Sequence, residues 1–303
     1  MIERAPGICP LCGAASDGAA FPYATRWQGV EYRYLDCGGC GAAFVSPTPS
    51  ERTLLETYEW EAYHQRHYGI PVAERASDER MLTALAQAGY GAGRILDFGC
   101  GSGDFLLAAR RRGYDGAGVE YAPSAIRGAR ARTELPVTSL REALTSSDRF
   151  DVVHLNDVLA HLPHPGELLA SLCGLLSPDG VFAVGGGLER NHSVVYGAAV
   201  AAKLVRRQLR LDGDPPEAPP TMLVRTDARS QRSFFLRIGW RELHFELYET
   251  GWPYLTANDG APRGPRSALR TTIGAAAVAA AETLPSLRLG NRFLAIERPG
   301  PRR

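Results

Sequence analysis

The fold of this 303-residue chain is decided by one stretch, Ile95-Leu96-Asp97-Phe98-Gly99-Cys100-Gly101-Ser102-Gly103. Its first four residues are typical of a short buried strand, and the alternating glycines allow a turn in which backbone can approach a ligand closely. The pattern at residues 105–112 then predicts a helix. A strand, a glycine turn and a helix in this order are typical of the beginning of a doubly wound α/β sheet.

The alternation of strands and helices continues after this stretch. We predict further strands at residues 116–120, 150–155, 181–184, 240–248 and 292–297. We predict helices between them at residues 124–132, 165–176, 226–238 and 267–283. The fold class is therefore expected to be α/β, with a Rossmann-like doubly wound sheet covered by helices on both faces.

Composition changes along the chain predict three parts. Residues 1–46 contain four paired cysteines and read as a small zinc ribbon; residues 47–90 begin with prolines and read as a helical lid or linker. Residues 91–303 form the α/β domain. Within it, residues 188–220 interrupt the alternation with a helical stretch and a proline-rich loop, which we interpret as an insertion.

The paired cysteines favour a closed structural zinc site. Cys9 and Cys12, like Cys37 and Cys40, stand in a Cys-x-x-Cys-Gly pattern that brings two thiolates to one tetrahedral ion. Redox-active or incidental pairs are the alternative. A ribbon that docks nucleic acid is a further possibility, although the residues between the two pairs contain few basic side chains.

Two carboxylates around the glycine turn favour a ligand with an adenosine and an ammonium group. Glu120, at the end of the second predicted strand, is placed to accept hydrogen bonds from a ribose diol. The third glycine of a dinucleotide fingerprint is missing, because position 104 is Asp. Asp97 before the turn suits an ammonium group and is unfavourable for a pyrophosphate.

With these motifs the sequence closely resembles the class I S-adenosylmethionine-dependent methyltransferases, in particular the subgroup with an N-terminal cysteine-rich zinc-binding segment. Many members of that subgroup act in sugar, polysaccharide or natural-product pathways. The resemblance is carried by the cysteine pairs, residues 96–103, Glu120, and residues 150–153, 157–165 and 176–180. It implies a seven-stranded sheet whose last strand, at residues 292–297, is antiparallel.

The resemblance also implies roles for individual residues. It assigns Asp97, Gly99 and Gly101 to the methionine part of the cofactor and Glu120 to its ribose. The implied neighbours of the adenine are Ser139 and Leu140, and the residues that face the reacting methyl group are Asn156 and Asp157.

The part of the predicted site that would bind the methyl acceptor, here called the acceptor side, departs from the pattern of the family. Ala160 replaces the usual glutamate before His161, Gly185-Gly186-Gly187 replaces a Pro-Asn pair, and Met222 stands where relatives tend to have histidine. The cofactor half keeps its pattern, so we expect the acceptor side to have diverged.

Transfer to a hydroxyl group is helped by a general base, for which neutral histidine is suited near pH 7. The candidates for the catalytic set are His161, His64 with its neighbour His67, and Asn156. His154 stands within an apolar strand and is interpreted as a core residue.

Charge and hydropathy restrict the class of partner. The net charge is +1, and no signal peptide or membrane-spanning stretch is visible. We therefore expect a cytoplasmic enzyme with a small-molecule acceptor, no membrane and no nucleic acid, and leave its oligomeric state open. The alternatives are an RNA or protein methyltransferase that docks through the ribbon, and a non-catalytic cofactor-binding protein.

Overall fold

The computed structural model describes residues 7–18, 20–59, 73–209, 211, 215–251 and 265–300. Its strands are β1 (Gly7–Ile8), β2 (Ala15–Ser16), β3 (Ala20–Trp27), β4 (Val30–Asp36), β5 (Ala43–Ser46), β6 (Gly93–Phe98), β7 (Tyr114–Val119), β8 (Val137–Thr138), β9 (Phe150–Asn156), β10 (Leu176–Gly187), β11 (Val224–Arg225), β12 (Trp240–Tyr248) and β13 (Arg292–Pro299). Its helices are α1 (Glu51–Glu59), α2 (Ala73–Gln87), α3 (Asp104–Arg111), α4 (Pro123–Thr133), α5 (Leu140–Thr145), α6 (Pro165–Leu172), α7 (Val194–Gln208), α8 (Ala228–Arg237) and α9 (Pro265–Thr283).

Seven strands form the large sheet, in the order β12-β13-β10-β9-β6-β7-β8. The strands from β6 to β10 pair in parallel, whereas β13 is antiparallel to both of its neighbours. The predicted Rossmann-like α/β class and the antiparallel last strand are therefore confirmed. The sequence patterns did not predict β8, because a two-residue strand is too short to show a period.

Both faces of the large sheet are buried under helices. Val153 and Phe182 belong to one apolar cluster, whereas Val152 and Val181, one position earlier on each strand, belong to another. Successive side chains of a strand point to opposite faces, so strands that are buried on both faces read as continuous apolar runs. Within the described part of the chain, no helix has the length and apolarity needed to cross a bilayer.

The segment before β10 differs from the predicted one. The helix expected at residues 165–176 ends at Leu172, a 3₁₀ turn follows at Cys173–Leu175, and β10 then begins at Leu176. The turn-forming motif Ser177-Pro178-Asp179-Gly180 therefore lies inside the strand. The pairing register with β9 shifts there, as expected where proline removes a donor from the ladder.

The N-terminal cysteine-rich part contains a hairpin of β1 and β2 and a four-stranded sheet in the order β11-β5-β4-β3. We call residues 7–46 the ribbon. The fourth strand of its sheet comes from far along the chain, because Val224 of β11 pairs with Phe44 of β5. The ribbon is thereby hydrogen-bonded to the segment that follows α7.

One buried carboxyl group makes the stability of the fold depend on pH. Glu297 of β13 is 1% exposed, and neither carboxyl oxygen has a hydrogen-bond partner among the described residues. Burial, and to a smaller extent the charge of Glu242, raises the pKa of Glu297 to about 8 from 4.5. The folded protein therefore keeps a proton that the unfolded chain releases between about pH 4.5 and 8, so stability falls as the pH rises through this window.

We expect Glu297→Gln to remove most of this fall and to raise the free energy of unfolding at pH 8 by on the order of 2 kcal/mol. Urea unfolding at pH 5.5 and pH 8 measures the effect. Glu167→Gln, which changes an exposed carboxylate, is the control. Parallel pH dependences of the wild type and Glu297→Gln would contradict the assignment.

Candidate active site

The glycine turn lies between β6 and α3, at the carboxyl edge of the parallel strands. Gly99 and Cys100 donate their backbone N–H groups to the carbonyl of Val119 at 2.8 and 3.1 Å, which holds the turn against the end of β7. Gly99, Gly101 and Gly103 all have positive φ angles, between 52° and 82°. These conformations favour glycine, so the glycine spacing follows from the backbone path.

Glu120 fixes the next part of the site. Its side chain is 8% exposed, and Oε2 accepts a hydrogen bond of 2.8 Å from the N–H of Gly101. The other oxygen, Oε1, accepts from the N–H of Tyr121 at 2.7 Å. The carboxylate therefore joins the turn to the end of β7. Since an ionised carboxylate offers about four acceptor positions, Glu120 retains the capacity to bind a diol.

Asp97 on β6 is held by His154 on the neighbouring strand β9, a role that the sequence did not reveal. His154 Nδ1 lies 2.7 Å from Asp97 Oδ1, and the two residues are 2% and 3% exposed, respectively. The imidazole ring stacks on Phe105 of α3 at a centroid distance of 3.5 Å. His154 is a core residue, as predicted, and it is also the partner that orients the carboxylate of Asp97.

Ser139 lies close to Glu120 at the end of β8. Thr138, the residue before Ser139, accepts a hydrogen bond from the N–H of Glu120 through its carbonyl oxygen. Ser139 caps α5: its hydroxyl accepts from the N–H of Glu142, whose carboxylate accepts the N–H of Ser139. Leu140 is half-buried beside it. The roles of Ser139 and Leu140 beside an adenine stay predictions.

A second polar group lies at the ends of β9, β10 and β13. Asp157 accepts from the N–H of Gly187 at 3.1 Å and pairs with Arg292 at 2.5 Å, and Arg292 also donates to Asn156 at 3.2 Å. A Cβ atom at Gly185 would lie 2.7 Å from Asn156 Oδ1, so a glycine at this position makes room for the amide. Arg292 was not among the predicted site residues; it reaches this edge because β13 runs antiparallel and begins here.

His161 lies on a 3₁₀ turn after β9, with Nδ1 at 2.5 Å from the carbonyl oxygen of Thr221. A carbonyl can only accept, so Nδ1 carries the hydrogen and Nε2 keeps its lone pair. Burial lowers the pKa of His161, against smaller opposing effects of this hydrogen bond and of Asp157. The other predicted histidines, His64 and His67, lie outside the described residues.

The two polar groups are neighbours. Val158, which follows Asp157, places a methyl group 2.8 Å from the position of a Cβ atom on Gly99. The structure therefore brings Asp97, Gly99, Gly101 and Glu120 together at one end of the sheet, with Asn156 and Asp157 next to them. This arrangement can bind a cationic nucleoside beside a polar acceptor side.

Comparison with known proteins agrees with this geometry. A family model of a methyltransferase domain matches residues 64–185. This part of the chain is a methyltransferase domain.

Proteins similar to this part of the chain include two kinds of methyltransferase. The ubiquinone biosynthesis O-methyltransferase of Psychrobacter arcticus is 32% identical over 136 residues, which cover 41% of this chain and 52% of the relative. The trans-aconitate 2-methyltransferase of Methylobacterium radiotolerans is 38% identical over 118 residues, covering 36% and 45%. The chain thus spans about half the length of these relatives.

A solved structure supports the fold over a longer part of the chain. A chain in the complex of the Haloferax volcanii Trm112 methyltransferase activator with a methyltransferase has a TM-score of 0.50 and 16% identity. The match covers 82% of this chain and 99% of that chain. At this identity the likeness concerns the fold alone.

Four cysteines form a compact cluster in the ribbon. The Sγ atoms of Cys9, Cys12, Cys37 and Cys40 all lie within 4.8 Å of one another. Cys9 lies 3.7 Å from Cys40, and Cys12 lies 3.4 Å from Cys37, so these contacts join one Cys-x-x-Cys pair to the other. A zinc ion with Zn–S bonds of about 2.3 Å requires sulfur–sulfur distances of about 3.8 Å in a tetrahedron, and the cluster fits this requirement.

A separate cavity of about 310 Å³ borders the start of α3 on the methyltransferase domain. It is lined by α2 and α3 and by Arg132, and its side chains are mostly charged. No residue of the cofactor or acceptor groups described above lines it.

The glycine turn of the methyltransferase domain gives a stability prediction. We expect Gly99→Ala to lower the free energy of unfolding by about 3 kcal/mol, because a left-handed backbone strains alanine and Val158 must move. Gly113→Ala is the matched control: its φ is +92°, but its Cβ position is open. It should cost only about 1–2 kcal/mol. Equal losses in urea unfolding would exclude the contact with Val158.

Proposed function

We propose that this chain transfers the methyl group of S-adenosylmethionine to a small-molecule acceptor, at a hydroxyl group or a carbon of a sugar, a polysaccharide precursor or a natural product. The observation that carries the proposal is the position of the Glu120 carboxylate, which is bound to the Gly101 amide beside the buried Asp97. Two carboxylates at a glycine turn suit a cation with a ribose.

In this proposal, Asp97, Gly99 and Gly101 hold the methionine part, Glu120 accepts from the ribose hydroxyls, and Ser139 and Leu140 flank the adenine. The hydrogen bond from His154 supports this assignment, because it fixes the Asp97 carboxylate in a dry environment where attraction to an ammonium group is strong. When bound, the cofactor supplies a methyl group on a sulfonium, which is already a good leaving group.

The remaining task of the protein is to align the acceptor and to take up its proton. We assign the alignment to Asn156 and Asp157, whose side chains are held in place by Arg292. We assign the proton to Nε2 of His161. Its position on the turn after β9 and the direction of its pKa shift support the role of a neutral base. His64 remains a second candidate for the general base on the grounds of the sequence.

Two further segments are assigned roles around the proposed active site. Residues 47–90 are proposed as a lid, and residues 188–220 as an acceptor-side insertion. The acceptor-side position of the insertion is supported by Tyr196 in the first turn of α7, whose hydroxyl lies 3.8 Å from the Cβ position of Gly187. Ser193, which caps this helix, donates to Glu249 at 2.8 Å.

We also propose that the ribbon binds one structural zinc ion through Cys9, Cys12, Cys37 and Cys40. All four ligands would come from the protein, which leaves no open position for catalysis. Zinc analysis of the purified chain should find one ion per chain, and none in a Cys9→Ser/Cys40→Ser variant.

Isothermal titration tests the cofactor assignment. We expect one molecule of S-adenosylhomocysteine to bind per chain at micromolar concentration, and NAD and ATP not to bind. A labelled-methyl assay with sugar nucleotides, phenolic metabolites and total RNA then tests the acceptor class, and we expect label in the small-molecule fraction. Binding of NAD or ATP instead would overturn the cofactor assignment, and label in RNA would overturn the acceptor class.

The role of His161 gives a pH prediction. Because burial holds its pKa below the ordinary 6.5, kcat/KM should rise with pH to a plateau that begins below pH 7. We expect His161→Ala to lower kcat by about 100-fold or more, with an unchanged Kd for S-adenosylhomocysteine. His164→Ala, on the exposed side of the same segment, is the control. A profile of His161→Ala parallel to that of the wild type would exclude His161 as the base.

A further inference from the structure

A small cavity separates the acceptor side of the large sheet from the ribbon. It has a volume of about 20 Å³, and its walls include Asp157 and Gly185–Gly187 from the strand ends. The lining also includes Leu11, which lies between the zinc-ligand candidates Cys9 and Cys12. A volume of this size has room for about one water-sized group. The ribbon therefore reaches the acceptor side directly.

One buried donor in the wall of this cavity has no partner among the residues that the structure describes. Gln231 of α8 is 4% exposed; its Oε1 accepts from the hydroxyl of Thr226 at 3.2 Å. Its Nε2 has no hydrogen-bond partner in the described part of the chain. Leaving a buried N–H without a partner typically costs about 1–3 kcal/mol. Such a group is expected where a ligand supplies the missing acceptor atom.

A segment after α7 connects the ribbon to this cavity. We call residues 215–226 the strap. Its first part binds one edge of the ribbon sheet, where Arg26 donates to the carbonyl of Pro216 at 3.0 Å and accepts from Ala218 at 2.9 Å. Its last part binds the other edge, where Val45 donates to the carbonyl of Leu223 and β11 pairs with β5.

The strap also holds the turn that carries His161. Leu223 donates its N–H to the carbonyl of Ala160 at 2.7 Å, and the carbonyl of Thr221 binds His161 Nδ1. Arg225 lies over the ring of Tyr34 at 4.5 Å and forms an ion pair with Glu189 just after β10. The same twelve-residue segment therefore contacts the ribbon on one side and the acceptor side on the other.

We propose that this cavity is the inner end of the methyl-acceptor subsite, with Leu11 as its apolar wall, Gln231 as its hydrogen-bond donor, and the zinc ribbon as the element that orders it through the strap. The ligand chemistry is a hydroxyl or carbonyl oxygen that enters the cavity from an apolar group outside it. Because the glycine turn makes none of these contacts, zinc orders the acceptor side and not the cofactor side. The assignment as an acceptor subsite rests on the proposed function.

Amide hydrogen exchange of the full chain, with zinc and after its removal by a chelator, tests the ordering. We expect zinc removal to accelerate exchange at least tenfold in residues 157–161 and 221–226, and less than twofold in residues 97–103. The Kd of S-adenosylhomocysteine should change less than threefold. Unchanged exchange in residues 157–161 and 221–226 would overturn the proposal, as would equal acceleration in residues 97–103.

Point variants test the two walls without removal of zinc. Leu11→Ala should keep one zinc ion per chain and accelerate exchange in residues 157–161 by threefold or more, whereas Val30→Ala, at an exposed position of the same ribbon, should not. In a Thr226→Val background, where the hydrogen bond to Gln231 Oε1 is already absent, Gln231→Leu should leave the Tm unchanged or higher, because the amide then makes no hydrogen bond that stabilises the fold. Equal exchange in Leu11→Ala and Val30→Ala, or a lower Tm of Thr226→Val/Gln231→Leu than of Thr226→Val, would overturn the assignment of that wall.

These outcomes are separable from failure of the proposed function. If the zinc-loaded chain does not bind S-adenosylhomocysteine, the methyltransferase activity is rejected, whereas the exchange data still decide whether the ribbon orders residues 157–161. If the cofactor binds and the exchange is insensitive to zinc, only the role of the ribbon is rejected.

Discussion

Replacing Glu120 with alanine should weaken the binding of S-adenosylhomocysteine by about 100-fold or more. The carboxylate is placed to accept both ribose hydroxyls, and hydrogen bonds to a charged group are worth about 1.5–3 kcal/mol each. Since about 1.4 kcal/mol corresponds to a factor of ten, the loss of two such bonds gives at least this effect. The Gly101 N–H also loses its partner, which loosens the turn. Isothermal titration measures the change.

Two further variants test whether the weaker binding of S-adenosylhomocysteine comes from the lost carboxylate of Glu120. Glu120→Gln keeps one acceptor oxygen and should fall between the wild type and Glu120→Ala. Asp115→Ala removes an exposed carboxylate from the other end of β7 and should leave the Kd unchanged. Similar affinities of Glu120→Ala and Asp115→Ala would exclude Glu120 from the ribose site.

Replacing His154 with leucine should lower the free energy of unfolding at pH 7 by about 3–5 kcal/mol, which is the cost of leaving a buried charge without its partner. Asp97 is 3% exposed and His154 Nδ1 lies at 2.7 Å from its carboxylate. In Asp97→Asn/His154→Leu no carboxylate remains, so the double variant should be more stable than His154→Leu alone. Urea unfolding of the four proteins of this cycle measures the coupling.

The control for the His154 cycle is His164→Leu, because His164 is exposed and far less constrained. It should lower the free energy of unfolding by less than about 0.5 kcal/mol. If the effects of Asp97→Asn and His154→Leu were additive, the pair would not act as a unit.

The sequence predicted the part of the site that depends on local backbone. Gly99 and Gly101 need positive φ angles, and Glu120 ends a strand, so each leaves a pattern within a few residues. His154 does not, because its contact with Asp97 depends on the register between β6 and β9, which no short segment encodes. A lone histidine in an apolar strand nevertheless indicated a buried polar group that required a partner.

Of two contacts made at longer range, the one of Arg292 was predictable from the sequence and the one of β11 was not. Arg292 is the first residue of the predicted last strand, and the implied antiparallel direction places that residue at the carboxyl edge of the sheet. Its pairing with Asp157 could have been anticipated from those two facts. The pairing of Val224 with Phe44 could not, because a two-residue strand shows no period and its partner lies in another part of the chain.

During biosynthesis, β11 is translated long after β5, the strand with which it pairs. During translation the cysteine cluster is complete as soon as Cys40 has emerged, but the edge of β5 has no neighbour until Val224 and Arg225 follow. Unpaired strand edges are templates for association with other chains. A nascent chain that pauses before residue 224 therefore exposes an unpaired strand edge next to the four-cysteine cluster, and synthesis of the later segment covers this edge.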